Sequence, residues 1–158
     1  MAEPKGKDVY GKFGKILPIL LTPDKDIVIN IKEACRDNGI RSGTILTAVG
    51  SLHKATVLHH ASGKVKTSTL SPPKVIPGPL QILSLVGIIC EQDGGELHVH
   101  LHASVVDENG KVYGGHLVEG ESPVFRRTEV VIGEIADVRM MERYDEVTGE
   151  VEFSTKRL

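Results

Sequence analysis

No tryptophan occurs anywhere in the 158 residues, and aromatic side chains together make up only 4% of them. A core built from this chain must be filled by Val, Ile and Leu, and the 40% hydrophobic content is enough for one domain with an interior of its own. Cysteine is almost missing. Cys35 and Cys90 fall in a helical pattern and at a strand end, which excludes a disulfide scaffold and suits buried thiols in a reducing compartment. Long apolar runs are missing too, since none approaches the roughly 18–20 residues needed to cross a bilayer. The opening MAEPKGKDVYGKFG lacks the apolar centre of a secretory signal, so a cytoplasmic location without membrane contact is expected. There is no surplus of positive charge. A formal charge of −2 and a pI near 6.4 give no global attraction to a polyanion. Walker, GxGxxG, GxSxG and HExxH patterns are all absent, so no familiar catalytic constellation defines a substrate.

What is present is a histidine-rich stretch, ELHVHLHASVVDENGKVYGGHLVEG, from Glu96 to Gly120. Asn109-Gly110 between two alternating segments predicts a β-hairpin. His98, His100 and His102 occupy every second position of the first strand and must point to one face, because strand side chains alternate. A turn centred on Asn109-Gly110 places His116 beside Ala103, one position from His102, and a bulge near Gly114-Gly115 would bring the two imidazoles together. Three or four imidazoles would then meet. Neutral imidazole is the commonest metal ligand, and three leave an open position on a tetrahedral ion. A polar strand face of solvated or hydrogen-bonded histidines is the other reading of the same spacing, and the residues alone leave both open.

Around this stretch the remaining chain reads as one domain over residues 1–158, with a core of about 12–145, a flexible start over 1–8 and a closing hairpin over 136–158. Tyr10 to Leu21 predicts a first strand, at an edge because of Pro18. Asp26 can cap a helix whose apolar stripe is Ile27, Ile29, Ile31, Ala34 and Cys35, and Asn38-Gly39 ends it. TILTAVGSL predicts a buried strand stopping at Gly50-Ser51, and HKATVLHHA a separate one. His53, His59 and His60 follow no convergent pattern and read as ordinary surface or core histidines. Ser62 to Pro79 reads as a loop or short edge hairpin, with Lys64, Lys66 and Lys74 as a modest basic group on a solvated loop. Leu80 to Ile89, ending at Cys90, is apolar on both faces, as a central strand would be. VFRRTEVVIGEIADV predicts another interior strand. Its Arg126 and Arg127 can clamp an anion, or more ordinarily pair with Glu119 or Glu129. DVRMMERYDEVTGEVEFSTKRL predicts the closing hairpin, around Thr148-Gly149.

In order, DIVINIKEACRDNGIRSGTILTAVGSL, GPLQILSLVGII, HLHASVVDENGKVYGGHLVEG and EVVIGEI resemble the plant and prokaryote conserved (PPC) domain, also called DUF296, over about Lys12 to Asp145. The resemblance implies an α+β fold, with a mainly antiparallel sheet, one principal helix and a homotrimer. Plant relatives join the domain to AT-hooks in nuclear proteins, and many relatives carry a DNA-binding label for that reason. This chain has no Arg-Gly-Arg-Pro core, and it keeps the hairpin histidines, as do stand-alone prokaryotic members in which a bound metal is expected. Matching HLHAS and GGH residue by residue carries the ligands to His100, His102 and His116. His98 lies outside the shared motif, as an outer or facultative ligand or a plain surface residue. Zinc is the expected ion, although iron, nickel and copper also favour nitrogen donors. Whether the domain is an enzyme stays open. Hydrolysis or elimination on a small polar molecule is one reading, and a general acid or base would then be needed, Glu119 or Glu134 serving only if the fold brings it to the metal. A DNA- or protein-binding module is the alternative, disfavoured for DNA by charge.

Overall fold

The computed structural model describes residues 8–60, 70–145 and 150–158. In chain order these form β1 (Phe13–Leu21), α1 (Ile27–Asp37), β2 (Gly43–Leu58), β3 (Lys74–Gln92), β4 (Leu97–Val106), β5 (Val112–Leu117), β6 (Val124–Ile135), β7 (Val138–Asp145) and β8 (Glu150–Arg157). The fold is α+β, with one sheet ordered β1-β6-β2-β5-β4-β3-β7-β8 and a further pairing of β2 with β3. All pairings are antiparallel except β3 with β7. Because β2 pairs with both β3 and β5, and β4 joins those two, the four strands close a ring.

Local chemistry accounts for α1. Asp26 Oδ1 accepts from the Ile29 backbone N–H at 2.9 Å, satisfying one of the orphan donors at the helix start. Its other oxygen accepts from the Ser122 N–H at 2.8 Å, so the cap also ties the helix to the chain before β6. Gly39, at φ +67°, ends the helix as expected. The buried stripe is Ile27, Val28, Ile31 and Cys35, so Val28 takes the place expected of Ile29. These residues pack with Leu97, Val99, Leu101, Ala103 and Val105 of β4 in the principal core. Cys35 and Cys90 are free and buried, and burial raises both thiols to about 12.

Three expectations change. β2 runs unbroken through Gly50-Ser51: a Cβ at Gly50 would strike Thr128, so glycine there admits close approach of β6 rather than ending the strand. β3 begins at Lys74 and carries Pro77 and Pro79, so the expected loop is strand from there on, and its residues 62–69, with Lys64 and Lys66, lie outside the described residues. Leu80, Ile82, Leu85 and Ile89 of β3 are buried, but Leu83, Val86 and Ile88 are exposed, so one face of that strand is covered and the other is not. The edge position of β1 holds, as do the strand β6 and the antiparallel closing pair β7–β8. Thr148-Gly149 and the expected flexible start up to Lys7 lie outside the described residues. No helix among the described residues is long and apolar enough to cross a membrane.

Candidate metal centre

The histidine face is set by β4, where Leu97, Val99, Leu101, Ala103 and Val105 are buried and His98, His100 and His102 alternate with them on the opposite side. His102 and His116 are direct cross-strand partners, so no bulge is needed to bring them together. The register differs by one from the expected value because the turn is longer than two residues. Asp107 pairs with Lys111 through its backbone N–H at 3.0 Å, and its carboxylate accepts from the Asn109 and Lys111 N–H groups at 2.9 Å each. Gly110, at φ +78°, completes this three-residue loop.

His100 and His102 bring their Nε2 atoms to 3.1 Å, and the His116 ring lies 4.7 Å from that of His100 between centroids. One ring nitrogen from each of the three can be chosen so that all lie within 4.8 Å of one another. Zinc bonded to imidazole at 2.0–2.1 Å requires donors about 3.4 Å apart at the corners of a tetrahedron; the His100–His102 pair, at 3.1 Å, is close to that spacing, and a nitrogen of His116 lies within 4.8 Å of both. Burial, and then the neighbouring His100 and His102, pull His116 down to about 4. Burial and His100 lower His102 as well. Both rings are therefore neutral near pH 7, the form that coordinates.

Glu142 is the site residue that the sequence pattern did not disclose. The parallel pairing of β3 with β7 sets it opposite Gln92, on the face shared by Cys90 and its partner His98. One carboxylate oxygen lies 3.2 Å from His100 Nδ1 and the other 3.3 Å from His98 Nε2. The hydrogen bond from His100 leads the effects that hold this carboxyl below its usual range. Glu119 and Glu134, the carboxylates considered from sequence, are engaged elsewhere. Glu119 pairs with Lys32 at 3.4 Å, and Glu134 accepts from the Lys15 N–H at 2.9 Å.

The cluster opens on a cleft of about 810 Å³, walled by Leu58, Leu70, Tyr144 and Val151 and carrying His59 and His60 beside the cluster. Those two histidines had no site pattern in the sequence; His59 lies with its Nε2 2.8 Å from the Gly114 carbonyl oxygen, which places it beside β5. His53 lies apart, 3.0 Å from Asp24. Arg127 pairs with Glu129 at 3.1 Å, the ordinary surface role, and Arg126 lies over the Phe125 ring.

Comparison with known proteins agrees with the sequence resemblance. The model of the Plants and Prokaryotes Conserved (PCC) domain matches residues 9–136. The chain belongs to this family. Among solved structures, the metal-containing protein AF0104 from Archaeoglobus fulgidus is 29% identical, with a TM-score of 0.75 over 90% of this chain and 95% of that one. A plant- and prokaryote-conserved protein from Pyrococcus horikoshii is 25% identical, with a TM-score of 0.77 over 96% and 99%. A protein from Bacteroides thetaiotaomicron provisionally described as DNA-binding shares the fold at 20% identity, with a TM-score of 0.73 over 90% and 96%. The bifunctional protein GlmU from a Synechococcus strain is 31% identical over 138 residues, 87% of this chain, and the PCC chain spans only 20% of its length.

Proposed function

We propose that this PCC chain is a homotrimeric zinc-binding protein in which His100, His102 and His116 hold the ion and the adjoining cleft receives a small polar molecule for hydrolysis or elimination. The observation that carries the reading is the meeting of three imidazoles beside an open cleft. The metal content of AF0104, at 29% identity, supports it. When bound, zinc supplies Lewis-acid polarisation of a carbonyl or phosphoryl oxygen and acidifies a coordinated water. The chain's own part is to keep Nε2 of His100 facing its neighbours, to shield one side of the cleft with Leu58, Leu70, Tyr144 and Val151, and to offer His59 and His60 for proton exchange with a bound molecule. A reducing cytoplasmic setting suits the two free buried thiols.

Trimer formation is supported by the bare side of the sheet. Leu46, Val49, Leu83, Val86 and Ile88 are exposed on the paired strands β2 and β3, an apolar surface that a second copy would remove from water. Elemental analysis of the purified, untreated protein tests the metal. About one transition-metal ion per chain, lost in His100→Ala, is expected; a protein free of such metal, or a variant that keeps it, sinks the reading.

A DNA-binding module is the second reading, favoured by the provisional description of the Bacteroides relative, whose likeness at 20% identity shows the fold alone. The formal charge of −2 weighs against it. A mobility shift with sub-micromolar affinity that survives physiological salt would establish it over the metal site as the main role.

A further inference from the structure

We infer that Glu142 is the positioning residue of the histidine cluster: its carboxylate fixes the tautomer of His100, presenting His100 Nε2 to His102 and His116, while His98 stands beside the same carboxylate as a neighbour rather than a ligand. The inference deepens the metal reading above, and its geometric part stands without any metal.

The two nitrogens of His100 face different groups. Nδ1 lies 3.2 Å from Glu142 Oε1, and Nε2 lies 3.1 Å from His102 Nε2. A neutral imidazole carries one N–H, and an ionised carboxylate only accepts. The hydrogen of His100 therefore sits on Nδ1, and the lone pair on Nε2 is aimed at the cluster. At His98 the nitrogen nearest the carboxylate is Nε2, at 3.3 Å from Oε2, a contact of charge range and not a hydrogen bond. The carboxylate side chain is only 11% exposed, which limits competition from water.

The rival use of the same atoms is a second cation site, because donor atoms of His98, His100 and Glu142 also lie within 4.8 Å of one another. It would require His100 to bridge two cations with no hydrogen on either nitrogen. The hydrogen bond of 3.2 Å to Glu142 already satisfies His100 Nδ1 as a donor, without that cost.

Long-range nitrogen–proton NMR on the chelator-treated, 15N-labelled chain near pH 8 reads the tautomers directly. His100 is expected as Nδ1–H. In Glu142→Ala the acceptor is gone, and His100 is expected to lose its preference for Nδ1–H. His100 found as Nε2–H in the wild type, or an unchanged preference for Nδ1–H in Glu142→Ala, overturns the inference. Competition with a chromophoric chelator for zinc supplies the second arm. Glu142→Ala is expected to weaken zinc by about 10–100-fold, Glu142→Gln by less, and His98→Ala by only a few-fold. Two zinc equivalents per chain, one of them lost in His98→Ala, would establish the second cation site instead. Should the wild type bind no zinc, the proposed function fails while the tautomer readout still decides the role of Glu142.

Discussion

His102 and His116 stand directly opposite each other across the β4–β5 pair, with ring centroids 5.5 Å apart and planes at 86°. The hairpin register, set in the turn, thus delivers a third imidazole to a strand that already presents two.

Truncating that third ring tests its part in the site. His116→Ala is expected to lower zinc affinity by more than the roughly 100-fold that marks the upper range for outer partners. The measurement is chelator competition, with circular dichroism confirming that the sheet is intact.

The turn that sets the register can be loosened without touching a histidine. Asp107→Ala removes the carboxylate that accepts from Asn109 and Lys111. A lower melting temperature and a weaker zinc complex are expected together, since a slipped register moves His116 away from His102.

The pH dependence of the metal-free chain follows from His116, held at about 4 in the folded protein against about 6.5 when unfolded. Between those values the unfolded chain binds more protons than the folded one. Stability should therefore be level above about pH 6.5 and fall as pH drops toward 4. Melting temperatures of chelator-treated protein should show that slope, flattened in His116→Ala, and a flat profile in the wild type would contradict it.

A separate carboxylate locks the far end of β3. Glu91 is buried and receives Arg41 Nε and Arg139 Nε, each at 2.6 Å, joining the start of β2, the end of β3 and β7. Burial alone would raise its pKa, but the hydrogen bonds and charges of the two arginines outweigh this and keep it low. Glu91→Ala should cost about 2 kcal/mol, moderated because both arginines can regain water. A urea midpoint shifted down without a change of slope is the expected result.

The bare apolar face gives a solution test. Val86 lies opposite His102 and is exposed. Val86→Lys is expected to turn the proposed trimer into monomers by placing a charge in the interface, read by light scattering. A wild-type chain that is monomeric at micromolar concentration removes the trimer.

Short-range pattern settled a good deal. Asp26 and Asn38-Gly39 bound α1 because caps act within a turn of the helix, and the two-residue period put His98, His100 and His102 on one face of β4 whatever lay beside it. The motif order pointed to the family. What the one-dimensional pattern hid were consequences of distant chain segments meeting. Gly50 looked like a strand end but is a point of close approach to Thr128, and His59 and His60 matched no motif until β2 carried them to the cleft wall. Glu142 is forty-two residues from His100 in sequence, and only the parallel seating of β7 on β3 brings its carboxylate to that ring. Periodicity along a strand chooses the face a side chain takes; which neighbour waits on that face depends on strand order and register, and these are properties of the assembled sheet.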